Sequence, residues 1–270
     1  LRSIAHLSDI HFGRTDPVVV EDLRAKLYEL SPHLLVVSGD LTQRAKRVQF
    51  QEAKAFLDCF AMPKIVVPGN HDVPLYNVFE RFVRPLRKYD EFFEMEPECW
   101  FVDDGLAVAG VNTARSLVVK GGRINKEQVA RVRARFGNID DRVLKIVVSH
   151  HPFDLPDGFD DDDIVGRAAK FMPEFAGCGA DVFLAGHLHV SAITTSARRY
   201  HLDSGRAALV IQAGTATSTR GRGERNSFNL LEFESPRLTI RRLEHIKGDG
   251  FVLANEETFE QTPDAGWSKI

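Results

Sequence analysis

Five times along this chain an apolar run stops at a polar or small residue, and histidine, aspartate or asparagine follows at once. Residues 3–7 lead into Ser8-Asp9-Ile10-His11, and 34–37 into Ser38-Gly39-Asp40. Residues 65–67 lead into Pro68-Gly69-Asn70-His71-Asp72, 144–148 into Ser149-His150-His151, and 181–185 into Gly186-His187-Leu188-His189. A short unbroken apolar run is what a strand buried on both faces requires. Polar groups just past a strand's end fall on the loops that carry chemistry in α/β folds. A chain written this way is constrained to a fold in which several strand ends meet.

The segments between these runs supply the helices. Asp16 before Pro17 is an N-cap followed by proline at the first helical position, and Val20, Leu23, Leu27 and Leu30 then recur on one helical face. Residues 45–60 repeat the pattern with Phe50, Ala53, Leu57 and Phe60. Residues 76–93 are helical in character but broken at Pro85, so 76–98 reads as a cap segment beside the site. Strand 106–111 precedes a helix over 126–136 capped by Asn125, and Asp163 is placed to cap a helix running to 175. The rhythm is that of parallel crossover units, an α/β fold. Beyond His189 it changes: 208–213, 227–233 and 238–243 have no helices between them and read as antiparallel strands. The tail from 248 is polar with scattered Phe251, Phe259 and Trp267, and is expected to lie on the surface or fray. We read residues 1–270 as one domain, with 246–270 as a C-terminal extension.

Composition narrows the function classes. A net charge of −3 argues against a surface that coats nucleic acid. Cys59, Cys99 and Cys178 are odd in number and form no C-x-x-C, which favours buried free thiols in a reducing compartment over disulfides or thiolate zinc. The apolar runs fall far short of the ~18–20 residues that span a bilayer. No basic-then-apolar leader precedes the first strand, so the expected location is cytoplasmic.

Asp9, His11, Asp40, Asn70, His150, His187 and His189 form a set of four imidazoles, two carboxylates and an amide, all hard or borderline donors. One zinc ion needs three or four ligands, whereas two ions about 3.5–4 Å apart need about this many if one carboxylate bridges them. Asp40, alone in its motif, is the natural bridge. The alternative of unrelated caps and loop polar groups fits poorly with a placement repeated five times. His6, inside a strand, reads as core, and His151 as an outer neighbour of the ligands. The acidic run 160–163 lacks the glycine and spacing of a calcium loop and reads as a solvated loop ending in a helix cap.

Asp9-x-His11, Gly39-Asp40, Gly69-Asn70-His71-Asp72, Ser149-His150 and Gly186-His187-x-His189, in this order and each after a strand, resemble the calcineurin-like metallophosphoesterase superfamily. The wording of 38–42 and 67–72 is closest to bacterial class III cyclic-nucleotide phosphodiesterases and the related glycerophosphodiesterases. The resemblance implies a four-layer α/β/β/α sandwich of two mixed sheets flanked by helices. It implies two metal ions (Mn, Fe, Zn or Co), with Asp9, His11 and His189 on the first, Asn70, His150 and His187 on the second, and Asp40 bridging. It implies a catalytic His71 facing the phosphate, oriented by Asp72, and hydrolysis of a small phosphodiester such as cAMP by a metal-bound hydroxide. Asn70, His71 and Arg115 are the candidate substrate-binding residues, and Arg14, Arg220, Arg222 and Arg225 are further arginines near the motifs. The segment 43–47, Gln-Arg-Ala-Lys-Arg, departs from the acidic residue or glycine many relatives carry there. The alternatives are a nuclease, a phospholipid-headgroup hydrolase, a phosphomonoesterase and a non-catalytic scaffold. A nuclease would want a long basic groove. A homo-oligomer and a peripheral membrane contact are both compatible with the chain.

Overall fold

The computed structural model describes residues 1–75, 77–93, 99–116, 121–200, 207–219, 223–262 and 266–270. Strands β1 (Arg2–Leu7), β2 (Leu34–Ser38) and β3 (Lys64–Val67) lie side by side in parallel. Helices α1 (Pro17–Leu30) and α2 (Arg47–Asp58) make the crossovers. Asp16 caps α1 through a hydrogen bond from Val18 N, with Pro17 in the first turn as the sequence predicts. Two short helices, α3 (Val78–Val83) and α4 (Arg87–Asp90), follow, with Pro85 in the break between them.

The second sheet is built from β4 (Trp100–Val102), β5 (Leu106–Gly110), β6 (Leu144–Val148), β7 (Val182–Ala185), β8 (Ala192–Thr195) and β9 (Leu209–Gln212), in the order β4-β5-β6-β7-β9-β8. Its crossover helices are α5 (Lys126–Phe136), capped by Asn125, and α6 (Ala168–Gly177). Asp163 does not cap α6. It closes a separate 3-10 turn, and Arg167 in a left-handed conformation precedes the helix. The strand at 208–213 runs parallel to β7 and antiparallel only to β8, because β8 returns as a hairpin edge.

The chain then crosses back to the first sheet through β10 (Ser227–Glu234), β11 (Arg237–Ile246), β12 (Gly250–Thr262) and β13 (Gly266–Lys269). The order there is β13-β12-β11-β10-β1-β2-β3, with β10 antiparallel to β1. The tail expected to lie on the surface or fray is sheet at 250–262 and 266–269. Phe251, Phe259 and Trp267 are buried, and Trp267 Nε1 donates to the Asp181 carbonyl at 3.1 Å. Strand β12 is exposed along much of its length, which is why its polar text resembled a loop.

Alternation in the second sheet defines the layers. Leu144, Ile146 and Val148 of β6 join the core between the sheets, while Val147 faces the other way into the core under α5 and α6. Val182 and Leu184 against Phe183, and Leu209 and Ile211 against Val210, repeat the division. Each Leu, Ile or Phe so buried contributes about 1.5–3 kcal/mol. Two mixed sheets flanked by helices give the α/β architecture expected. Cys59 is exposed and Cys99 and Cys178 are half-buried, so the expectation of buried thiols fails, although all three are free. Among the described residues no helix is long and apolar enough to cross a membrane.

Candidate metal centre

The carboxyl ends of β1, β2 and β3 in one sheet and of β6 and β7 in the other meet at a common edge. Asp9, His11, Asp40 and His150 are fully or almost fully buried there, and His187 and His189 lie at the rim. The loops are laced together through their backbones: Asp9 N donates to the Gly39 carbonyl at 3.1 Å and His11 N to the Asp40 carbonyl at 2.9 Å. His187 N donates to Asp9 Oδ2 at 3.1 Å, which ties one sheet to the other.

Five of the seven predicted ligands, Asp9, His11, Asp40, His187 and His189, have φ between 52° and 74°. L-residues rarely adopt this left-handed region, although Asp and His tolerate it better than most. Such strain collects at functional sites, where surrounding contacts hold it. Here it turns each side chain back toward the shared edge. Gly186 allows close packing of that edge, since a Cβ there would fall 1.7 Å from Ser8 Oγ and 2.7 Å from Asp9 Oδ2.

The donor atoms fall into two groups. Asp9 Oδ1 lies 3.5 Å from both His11 Nε2 and His189 Nε2, and His11 Nε2 lies 3.6 Å from Asp40 Oδ2. On the other side Asp40 Oδ1 lies 3.5 Å from His150 Nε2, and Asn70 Oδ1 lies 3.0 Å from His150 Nε2 and 3.2 Å from His187 Nδ1. Asp40 thus turns one oxygen toward each group.

Two observations test whether these atoms suit a cation. Asp9 Oδ1 is buried with no hydrogen-bond partner, which is costly unless something positive faces it. His150 Nδ1 must donate to the Ser38 carbonyl at 2.8 Å, so in the neutral ring Nε2 is a lone pair, facing the Asn70 amide oxygen at 3.0 Å. Two acceptors turned on each other are reconciled by a cation bound to both. Ligands about 2.1 Å from an ion at right-angled to tetrahedral spacing lie about 3.0–3.4 Å apart, close to the separations seen. The residues fit a pair of divalent ions.

Electrostatics follow from the packing. Burial alone would raise the pKa of Asp9, but the surrounding His189, His11 and His150 outweigh it and hold the carboxyl well below its ordinary value. At Asp40, His150, His11 and His71 likewise overcome burial and lower it. Asp72 goes the other way: burial and the nearby Asp40 push it up to about 7, against donors at Gly69, Leu41 and Thr42 that favour its charged form.

The expected partnership of Asp72 with His71 is replaced by a different one. The Asp72 oxygens accept from Leu41 N, Thr42 N, Thr42 Oγ1 and Gly69 N at 2.9–3.1 Å, which spends the carboxylate on joining the Asn70–Asp72 turn to the Asp40 loop. His71 Nδ1 instead donates to the Gln43 carbonyl at 3.0 Å, and the ring stands edge-on to His11 with centroids 4.9 Å apart. Gln43 lies in the segment that departs from the resemblance, and its side-chain Nε2, 3.4 Å from His71 Nδ1, stands beside the same ring nitrogen as its carbonyl.

Other supporting residues escaped the sequence reading. Thr215 Oγ1 lies 2.7 Å from His189 Nδ1, and Asp163 Oδ1 lies 3.6 Å from His187 Nε2. Thr215 could have been found, because Ala213-Gly214-Thr215 follows β9 in the same grammar as the five motifs. Asp163 could not, being in an acidic run that reads as solvated. His151 is fully buried, with Nδ1 2.8 Å from Thr113 Oγ1 and its ring centroid 4.7 Å from that of His187. His6 is core, as expected. Arg115 donates to Gln128 Oε1 near the start of α5 at 3.0 Å. Arg14 sits in the loop after His11, Arg225 is exposed 3.7 Å from Glu244, and Arg220 and Arg222 lie outside the described residues.

Comparison with known proteins bears on the same edge. The uncharacterised protein YpbG of Bacillus subtilis (strain 168) is 26% identical over 194 residues, 69% of this chain and 61% of YpbG. Purple acid phosphatase PPD1 from yellow lupin (Lupinus luteus) seeds superposes with a TM-score of 0.72 at 13% identity, over 95% of this chain and 53% of its own. A dimetal phosphatase from Danio rerio superposes with a TM-score of 0.69 at 13% identity, over 97% of this chain and 99% of its own. At that identity the two structures speak for the fold alone. Residues 2–191 match the profile of the calcineurin-like phosphoesterases (Metallophos). That match runs from β1 through the last histidine of the cluster, and the chain belongs to the calcineurin-like phosphoesterase family.

Proposed function

We propose that the protein is a two-metal phosphodiesterase that hydrolyses a small phosphodiester, such as a cyclic nucleotide. The observation that carries the reading is the division of labour at the edge: Asp9, His11 and His189 cluster on one side, Asn70, His150 and His187 on the other, and Asp40 reaches both, while the Gln43 carbonyl holds His71 Nδ1. Asp9, His11 and His189 would hold one ion and Asn70, His150 and His187 the other, with Asp40 between. Bound there, Mn, Fe, Zn or Co would act as a Lewis acid on the phosphoryl oxygens and lower the pKa of water.

The chain's own residues do the rest. The Gln43 carbonyl fixes a proton on His71 Nδ1. His71 Nε2 is then the atom that carries a second proton and gives it to the departing ester oxygen. The left-handed backbone holds the ligands in place before substrate arrives, so little reorganisation is left for the reaction. Asp72, through Thr42 and Leu41, keeps His71 in register with Asp40. The similarity of 38–42 and 67–72 to class III cyclic-nucleotide phosphodiesterases supports the diester preference. A cytoplasmic location, which three free cysteines suit, and a homo-oligomeric state belong to the same proposal.

One observation favours a second reading. Leu75, Phe79, Phe82 and Val83, just beyond the His71 turn, are exposed, and an apolar ridge beside a phosphoesterase site suits a phospholipid headgroup substrate.

Metal-reconstituted protein assayed on bis-p-nitrophenyl phosphate, cAMP, glycerophosphodiesters, phospholipid vesicles, phosphomonoesters and single-stranded DNA separates the readings. Turnover of soluble diesters above the others is expected. Asp40→Ala should lose metal and turnover together, and His71→Ala should keep metal but lose turnover. Normal diester hydrolysis by Asp40→Ala overturns the proposal.

A further inference from the structure

Three arginines gather beside the second group of ligands, and none was tied to another by the sequence. Arg115 follows β5, Arg123 precedes α5, and Arg167 precedes α6. The backbone brings them together: Arg123 N donates to the Thr113 carbonyl at 2.9 Å, Gly166 N to the Gly122 carbonyl at 2.8 Å, and Ile124 N to the Gly166 carbonyl at 3.3 Å. Arg115 is half-buried, and its described side-chain partner is neutral, Gln128 Oε1 at 3.0 Å. Burial, and then Arg123 and Arg167, lower the pKa of Arg115.

No carboxylate among the described residues pairs with any of the three. Arg133, Arg142, Arg198 and Arg199 on the same half of the molecule are all paired with Glu174, Asp140, Asp157 and Asp154. Of the acids nearby in the chain, Asp163 faces His187 and Asp161 pairs with Arg199. A half-buried cation held near two like charges costs stability unless an anion answers it.

The position is the same carboxyl edge. Helices α5 and α6 follow β5 and β6, so both turn their positive N-terminal ends to that edge. The path to the ligands is short: Thr113 touches His151, Gly122 packs against the His151 ring so closely that a Cβ would fall 2.3 Å from Nδ1, and the His151 ring lies tilted against that of His187 with centroids 4.7 Å apart.

We propose that Arg115, Arg123 and Arg167 dock a second oxyanion of the substrate, so that the preferred substrates are phosphoesters carrying a further phosphate or carboxylate. The inference rests on the phosphoesterase reading above. Arginine suits the task because its planar fork meets a phosphate or carboxylate through two parallel hydrogen bonds. Such a group binds alike before and during reaction, so its contribution falls on KM.

The test uses full-length protein reconstituted with Mn2+. Hydrolysis of the dinucleotide pApA is compared with ApA, which lacks the terminal phosphate, and glycerophosphoserine with glycerophosphoethanolamine, which lacks the carboxylate. The expected result is a kcat/KM preference of tenfold or more for the doubly anionic member of at least one pair, carried by KM. In Arg123→Ala/Arg167→Ala, whose sites are exposed, that preference should fall at least fivefold at an unchanged melting temperature. Arg115→Lys, which keeps the charge but not the fork, should fall between the two. A preference for pApA identifies a phosphate, and one for glycerophosphoserine a carboxylate. Equal rates within both pairs, or a preference that survives the double substitution, overturns the inference while turnover of bis-p-nitrophenyl phosphate still upholds the phosphoesterase reading. Loss of that turnover in the unmodified protein overturns the reading itself.

Discussion

Gly69→Ala tests whether the site depends on backbone contact as much as on donor atoms. Gly69 has φ −104° and ψ −175°, an extended conformation open to alanine, so the perturbation is steric. A Cβ there would lie 2.1 Å from Asp40 Oδ1, 2.4 Å from Asp40 N and 2.8 Å from Asp40 Cγ. Ordinary contact begins near 3.4 Å, so the carboxylate must retreat by about 1.3 Å, and a misplacement of that size costs on the order of 100-fold in rate. Asp40 Oδ1 also accepts from His71 N at 2.8 Å, so the retreat drags the His71 turn with it. Overpacking should cost about 1–3 kcal/mol in stability. The assay pairs metal content and bis-p-nitrophenyl phosphate turnover with thermal unfolding by circular dichroism. Gly177→Ala, where an added Cβ meets nothing within 4 Å, is the control and should match the unmodified protein. A folded Gly69→Ala with metal content and turnover within threefold of the original refutes the reasoning.

Thr215→Val removes the partner of His189 Nδ1, and metal affinity measured by competitive chelation should fall about 10–100-fold. Trp267→Ala should lower stability by about 3–5 kcal/mol in urea unfolding, since the buried indole also bonds to the Asp181 carbonyl; a frayed tail would show no change. His6 is fully buried, and burial, outweighing the attraction of Asp9, lowers its pKa from 6.5 to about 3. The folded state therefore binds fewer protons than the unfolded one between those values, so this contribution is complete above about pH 6.5 and is lost as pH falls toward 3, over a span on the order of 5 kcal/mol. His6→Gln should flatten that acid limb in a series of unfolding curves.

The parts of the fold written in unbroken apolar runs were legible, because burial on both faces leaves no alternative text. Strands β1, β2, β3, β6 and β7 fall within a residue or so of the expected positions, as do the caps Asp16 and Asn125. Strand β12 was not legible, because a strand exposed over residues 252–256 follows no core pattern. Asp163 misled because Asp at the end of a loop is a generic cap signal, whereas this loop closes in its own 3-10 turn first. In the site, the donor residues could be read from strand-end grammar. The supports could not, since Gln43 acts through its backbone carbonyl and Asp163 and Arg167 arrive from a loop with no motif. The direction of the Asp72 carboxylate could not be read either, since adjacency in sequence says nothing of direction, and it turns toward Thr42.

The five left-handed residues carry a consequence for how such a protein drifts under selection. At about 1 kcal/mol or more apiece they amount to roughly 5 kcal/mol, comparable to the whole net stability of many domains. Glycine would relieve the strain, and asparagine, which also tolerates this region, would do so while refilling part of the space the buried His187 and His189 rings occupy. A library screened for heat resistance alone should therefore admit asparagine at these two positions and lose turnover as it hardens. Only a screen on catalysis holds the histidines in place, so the composition of these two positions across laboratory-evolved lineages records which pressure each lineage met.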